Sequence, residues 1–249
     1  MQTPSATPTD AHAGYRYYAM LMAAFVTVLV ASNFIGPAKA CRIDLPFALP
    51  FVGETLTFGA GNIFFPLSYI FGDVLTEVYG YAKARKVIWA GFASLLFVTA
   101  MSWVIIHLPP SPDESYNEVY QPALETMFGN SYRIVLGSIA AYWLGDFANS
   151  FVMAKMKVLT QGKRLWMRTI GSTIVGQGID SVVFYPIAFY GIWESKTLFY
   201  IVAFNFGFKV AVEALFTPIT YLVVGWLKRV EGVDVYDYDT NFTPFSLDD

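Results

Sequence analysis

Six stretches of the chain are apolar almost throughout, with polar residues gathered between them. They are Tyr17 to Gly36, about Ala60 to Tyr79, Val87 to Leu108, about Tyr132 to Met153, about Ile170 to Trp193, and about Leu198 to Leu227. A helix needs roughly 20 apolar residues to cross the hydrocarbon core of a bilayer, and each stretch is about that long. The pattern predicts an all-α fold, a six-transmembrane-helix bundle. The sixth stretch is longer and contains Pro218, so tilt or a kink is expected there. Between the first two stretches, Arg42 to Gly61 mixes apolar residues with prolines and turns at Val52-Gly53. It reads either as an outer-loop hairpin or flap folded over the mouth of the bundle, or as a loop lying among lipid headgroups.

Composition strengthens the membrane reading. Only 14% of the 249 residues are charged and 55% are apolar, against about a quarter charged in a soluble domain. The net charge of −3 comes without a basic patch, which excludes a nucleic-acid-binding surface. Cys41 is the single cysteine, and His12 and His107 have no second histidine at ligand spacing. No disulfide framework, metal or other cofactor is expected. The polar residues 1–16 read as a disordered tail, 17–229 as the membrane domain, and 230–249 as an acidic, solvated tail. The first apolar stretch is too long for a cleaved secretory signal.

Basic residues set the orientation. Arg16, then Lys83, Arg85 and Lys86, then Lys155, Lys157, Lys163, Arg164 and Arg168, then Lys228 and Arg229 fall on one side. Lys39, Arg42, Arg133 and Lys196 fall on the other. The positive-inside rule places both termini in the cytoplasm. Gly72-Asp73 and Gly145-Asp146 each lead into a basic turn, a faint echo of two three-helix halves.

The candidate chemistry lies in ionisable and amide side chains at bilayer depth: Asp73 and Glu77, Asp146 and Asn149, Gln177 and Asp180, and Asn205, Lys209 and Glu213. Spacings of three and four put each group on one helical face. An acid or base at a helix centre costs about 2.5 to 3.5 kcal/mol, so five acids and a lysine acting alone would oppose insertion by roughly 15 to 20 kcal/mol. They must face inward. Lys209 and Glu213 sit at the spacing of a same-helix ion pair, structural or gating. The other acids are poor inter-helix glue, because each needs a donor or a proton, and they predict a polar cavity. Phe65 and Tyr69 lie on roughly the face of Asp73, Tyr142 precedes Asp146 by one turn, and Phe184 follows Asp180 by one turn. Each is a packing residue or a stacking wall. Acceptors between flat apolar walls suit a planar heterocycle with adjacent N–H donors, such as a guanine-type edge, or a cationic solute. They would repel a phosphorylated one.

Asn33 with Lys39, FFPLSYIFGDVLTEVYGYAKAR (Phe64 to Arg85), GDFANS (Gly145 to Ser150) and GQGIDSVVFYPIAF (Gly176 to Phe189) resemble the queuosine precursor transporter family of the vitamin-uptake-transporter class. The likeness spans most of Tyr17 to Arg229. It implies a six-helix importer of 7-cyano-7-deazaguanine, 7-aminomethyl-7-deazaguanine or both, with Asp73, Glu77, Asp146, Asn149, Gln177 and Asp180 at or near the substrate. Arg168 and Lys209 with Glu213 are further carry-overs.

Three functional readings follow from these residues. The first is a transporter alternately open to each side. The second is a substrate-binding subunit of an energy-coupling-factor type transporter, which would need a separate ATPase because no GxxxxGK[ST] loop is present. Small residues Ala19, Ala23, Thr27 and Ala31 would then offer a docking stripe, or a homo-oligomer contact. The third is a membrane enzyme, an intramembrane protease or a lipid-modifying enzyme, in which Asp73 and Asp180 could form an aspartyl pair; against it, the sequence has no HExxH motif and the serines near the acids lack a histidine at membrane depth. The expected partners are a small-molecule substrate and the lipid bilayer.

Overall fold

A computed structural model describes residues 15–35, 40–49, 53–129, 132–191 and 194–246. Helix α1 (Tyr18–Phe34) is followed by strands β1 (Ala40–Leu49) and β2 (Gly53–Gly59), and a 3-10 turn at Ala60–Phe64 leads into α2 (Phe65–His107). Helices α3 (Asn117–Phe128), α4 (Tyr132–Leu159), α5 (Leu165–Phe189) and α6 (Ser195–Glu231) complete the chain. Among the described residues, Pro66–His107 and Leu198–Glu231 are long and apolar enough to cross a membrane. Large apolar side chains stay on the outside of the helices, with Phe97, Trp103, Leu215 and Leu222 all more than 60% exposed. Such a surface belongs in lipid rather than in water.

The region between α1 and α2 is an antiparallel hairpin, pairing Ala40 with Gly59 through Asp44 with Thr55. The register slips between Asp44 and Leu49. Pro46 lies in that interval and has no N–H to donate to the ladder. The tip, residues 50–52, lies outside the described residues.

The sequence separates the second and third apolar stretches by a basic loop. The structure instead joins them through one residue. Gly80, at φ 81° and ψ 171°, is non-helical inside α2, a backbone conformation that suits glycine. Before the break, Thr76 lies by Ser150 of α4 (Oγ to Oγ, 3.1 Å) and Lys157 reaches the Glu77 carbonyl. After it, the Tyr142 hydroxyl donates to the Ile88 carbonyl at 3.0 Å. Residues 65–79 therefore run in the direction of α4, and residues 81–107 run against it. Helix α5 runs against α4, and α6 against α5, where Trp166 N–H meets the Tyr221 hydroxyl at 3.0 Å. The Arg16 and Tyr17 N–H groups donate to the Glu231 carboxylate at 3.0 and 2.6 Å. The start of α1 and the end of α6 thus share one end of the bundle.

Helix α3 falls between the third and fourth apolar stretches and overlaps the acidic segment Ser111 to Glu125. It is held by Phe128 against Phe34 (5.9 Å between rings) and by Gln121 donating to the Ile106 carbonyl at 2.9 Å.

The C-terminal segment departs most from its sequence reading as a solvated tail. Residues 232–246 fold back over the break in α2. Val235 N–H donates to the Val78 carbonyl at 3.2 Å, and the Asp237 carboxylate accepts from Tyr81 N–H at 3.1 and 3.2 Å. These are backbone groups that a helix interruption leaves without partners. Arg85 donates to the carbonyls of Asn241 and Thr243 at 2.7 and 2.8 Å, and Trp89 Nε1 to that of Pro244 at 2.8 Å. Asp237 is only 3% exposed. At the other terminus, Tyr15 packs on the same core, so the ordered chain begins before residue 17.

A β-carbon at Gly80 would stand 2.7 Å from Val235 Cγ1, in a positive-φ conformation. We expect Gly80→Ala to destabilise the fold by about 1–3 kcal/mol, read as a lower Tm in detergent. An unchanged Tm would remove the one-residue reversal from the account.

Candidate functional site

Between α1, both halves of α2, α4, α5 and α6 lies a half-enclosed cavity of about 330 Å³, the size of a small-ligand site. Helices α4 and α5 approach closely beside it. A β-carbon at Gly176 would lie 2.7 Å from Asn149 Cβ, and one at Gly145 would lie 3.1 Å from the Gly176 carbonyl oxygen. Two glycines therefore bring Asp146 and Asn149 of α4 level with Gln177 and Asp180 of α5.

Most of the residues chosen from the sequence come together here. Asp73, Asp146, Asn149, Gln177, Asp180 and Tyr69 all line the cavity, with Lys209. Asp73 is 1% exposed, and its Oδ2 has no hydrogen-bond partner among the described residues. Its carboxyl lies within reach of Glu213 and of the Asn149 amide. Glu213 is equally buried, and its Oε1 also lacks a partner. Phe65 begins α2, but its side chain lies outside the described residues.

Two assignments change. Glu77 is not in the cavity wall. It is fully buried one turn beyond Asp73, where Arg168 holds both its oxygens at 2.7 Å. Lys228 adds a bond at 2.6 Å, and Lys157 lies 3.8 Å away. Arg168 and Lys228 together donate three bonds to this carboxylate, and its burial beneath them keeps it out of the cavity. The Lys209–Glu213 spacing suggested a same-helix pair, yet Lys209 Nζ meets Asp180 Oδ2 of α5 at 2.7 Å while Glu213 turns to Asp73. Partners on facing helices compete with the one four residues away.

Aromatic rings supply the walls. Tyr142, anchored by its hydroxyl to Ile88, and Phe184 line the cavity, as the sequence suggested. Tyr185, Ser138 and Asn33 were not among the chosen site residues. Ser138 donates to Asn33 Oδ1 at 2.8 Å, which fixes the amide of Asn33 at the rim. The family-like motif around Asn33 was the one signal for it. Among the described residues, the carboxyls of Asp73, Asp146 and Asp180 line the cavity with one ammonium, that of Lys209, so it is rich in acceptors. Among the described residues no group of three His, Cys, Asp or Glu side chains is arranged for a metal ion.

The cavity thus lies inside a helical bundle whose outer face is apolar. The family model described as "Putative vitamin uptake transporter" matches residues 59–223. The chain belongs to the vitamin uptake transporter family. It is a family of membrane transporters rather than enzymes. The chain is 35% identical over 191 residues to a protein of Bacillus subtilis (strain 168) named probable queuosine precursor transporter, covering 76% of this chain and 80% of that one. It is 26% identical over 197 residues to the queuosine precursor transporter of Escherichia coli (strain K12), covering 76% and 77%. It is 25% identical over 175 residues to a probable queuosine precursor transporter of Haemophilus influenzae, covering 66% of each chain. No solved structure matches the chain.

Outside the cavity, Asp234 of the C-terminal segment meets Lys157 Nζ at 2.5 Å and Lys228 Nζ at 2.8 Å. Partial burial alone would raise its pKa, but the two ammoniums outweigh that and hold it below the ordinary carboxylate value. A group with a depressed folded pKa stabilises the fold above its unfolded pKa of about 3.9, and that contribution fades as pH falls through the folded value. The Tm difference between the native transporter and Asp234→Asn should be constant from neutral pH down to about pH 5 and shrink once the pH drops below the unfolded value of about 3.9. A difference that grows on acidification would contradict the pairing.

Proposed function

We propose that this transporter imports the 7-deazaguanine precursors of queuosine, 7-cyano-7-deazaguanine and 7-aminomethyl-7-deazaguanine, across a bacterial inner membrane. It does so as a six-span bundle with both termini cytoplasmic. The observation that carries the reading is the buried, partnerless Oδ2 of Asp73 at the cavity wall. A carboxylate out of water and without a donor is costly. A deazaguanine edge, with its ring N–H and exocyclic amine, supplies the missing donors side by side. The amides of Asn149 and Gln177 can then serve the ring's carbonyl, and Tyr69, Tyr142 and Phe184 give faces for stacking at about 1–3 kcal/mol per base. The names of the three relatives point to the same solute.

Alternating directions of α1, the two halves of α2, α4, α5 and α6 support six crossings. The basic residues near the shared end of the termini support a cytoplasmic location for it. The hairpin would then lie outside, beside the cavity mouth. The test is genetic. In a strain unable to make deazaguanines, deletion of the gene should abolish queuosine in tRNA when precursor is supplied at nanomolar level, and restoring the gene should return it. Undiminished queuosine after deletion would refute the proposal.

A further inference from the structure

One turn of α2 beyond the cavity lies a layer of charge. Asp73 is in the cavity wall, whereas Glu77, one turn deeper, is sealed beneath Arg168, Lys157 and Lys228. That layer ties α2, α4, α5 and α6 together, and its outer member is Asp234 of the C-terminal segment, which shares both lysines with Glu77. The same segment supplies the groups that cap the Gly80 break on each side, Val235 N–H and the Asp237 carboxylate. We propose that residues 232–246 are a latch on the inner gate: while docked they fix the angle between the two halves of α2 and keep the charge layer shut, and their release lets the layer part.

Two physical points favour the segment as the moving part. Glu77 and Arg168 are 0% and 1% exposed, and separating a buried pair is costly. The Asp234 side chain is 43% exposed and that of Lys228 21%, so water already reaches this pair and can replace its contact at little cost. Undocking also returns the Val78 carbonyl and Tyr81 N–H to solvent, freeing the one joint at which α2 is already non-helical. Opening at Gly80 could then proceed with the Glu77–Arg168 pair intact.

The inference rests on the import reading, and the experiment separates the two. Phe151 of α4 and Phe242 of the segment meet edge to face with ring centres 5.2 Å apart. In a Cys41→Ser background, Phe151→Cys with Phe242→Cys is bridged by a reductant-cleavable thiol crosslinker in proteoliposomes. Bridging should cut uptake of 7-cyano-7-deazaguanine by about tenfold or more, leave its equilibrium binding intact, and be reversed by reductant. Uptake unaffected by bridging overturns the latch. Absence of uptake by the native protein would strike the import reading instead, and the latch is then decided without transport. In a Thr173→Cys background, Asp234→Asn should speed labelling of the cavity by an impermeant maleimide from the tail side severalfold; an unchanged rate overturns it.

Discussion

Asp73→Asn should weaken binding of a 7-deazaguanine by about 10- to 100-fold and leave the fold intact. Hydrogen bonds to a charged group contribute roughly 1.5–3 kcal/mol, and each 1.4 kcal/mol is a factor of ten. The amide replaces one acceptor oxygen with an NH₂, so it cannot take two adjacent donors and turns one of them into a donor–donor clash. Stability should change little, because Oδ2 has no hydrogen-bond partner among the described residues, the amide keeps an oxygen for Asn149 and offers an N–H to Glu213, and it removes an expensive buried charge. Titration calorimetry with the purified protein reads the first effect, and Tm reads the second. Binding equal to that of the native protein would take Asp73 out of the site.

Glu77→Gln should do the reverse, one helical turn away. It leaves Arg168, Lys157 and Lys228 facing one another around a neutral side chain, with Arg168 fully buried. Breaking a buried pair by removing one partner costs about 3–5 kcal/mol. For a chain of this size that corresponds to a fall in Tm of roughly 6–20 °C. The double variant Glu77→Met with Arg168→Met should recover part of the loss, since an apolar replacement removes both charges together. If Glu77 instead touched substrate, Glu77→Gln would weaken binding at unchanged Tm, and that result would return it to the cavity.

These two carboxylates show how far the sequence reaches. The cost of a charge at bilayer depth says that Asp73, Glu77, Asp146 and Asp180 all face inward, and they do. It does not say what each will meet. Asp73 and Glu77 share a helix face and differ only in what α5, α6 and the tail present to them, which is a matter of tertiary geometry. Arg168 carried a hint through its family-like context, but its partner could not be read. The same holds for Lys209, whose four-residue spacing to Glu213 competes with Asp180 on a facing helix. The hairpin was legible because prolines and apolar residues mixed in a loop demand pairing or lipid. The docked tail was not, because it has no apolar period. It is held by carbonyl oxygens and single aromatics that fit a break in α2, and the sequence spreads that break into a loop around Lys83 to Lys86.

The central claim is that the cavity holds a planar base through paired N–H donors. The most direct test compares 7-deazaguanine with 7-deazahypoxanthine, which lacks the exocyclic amine, in calorimetric titrations of the native protein. The account predicts saturable binding of the first and an affinity for the second lower by about tenfold or more. Equal affinities, or no saturable binding of the first, would contradict it.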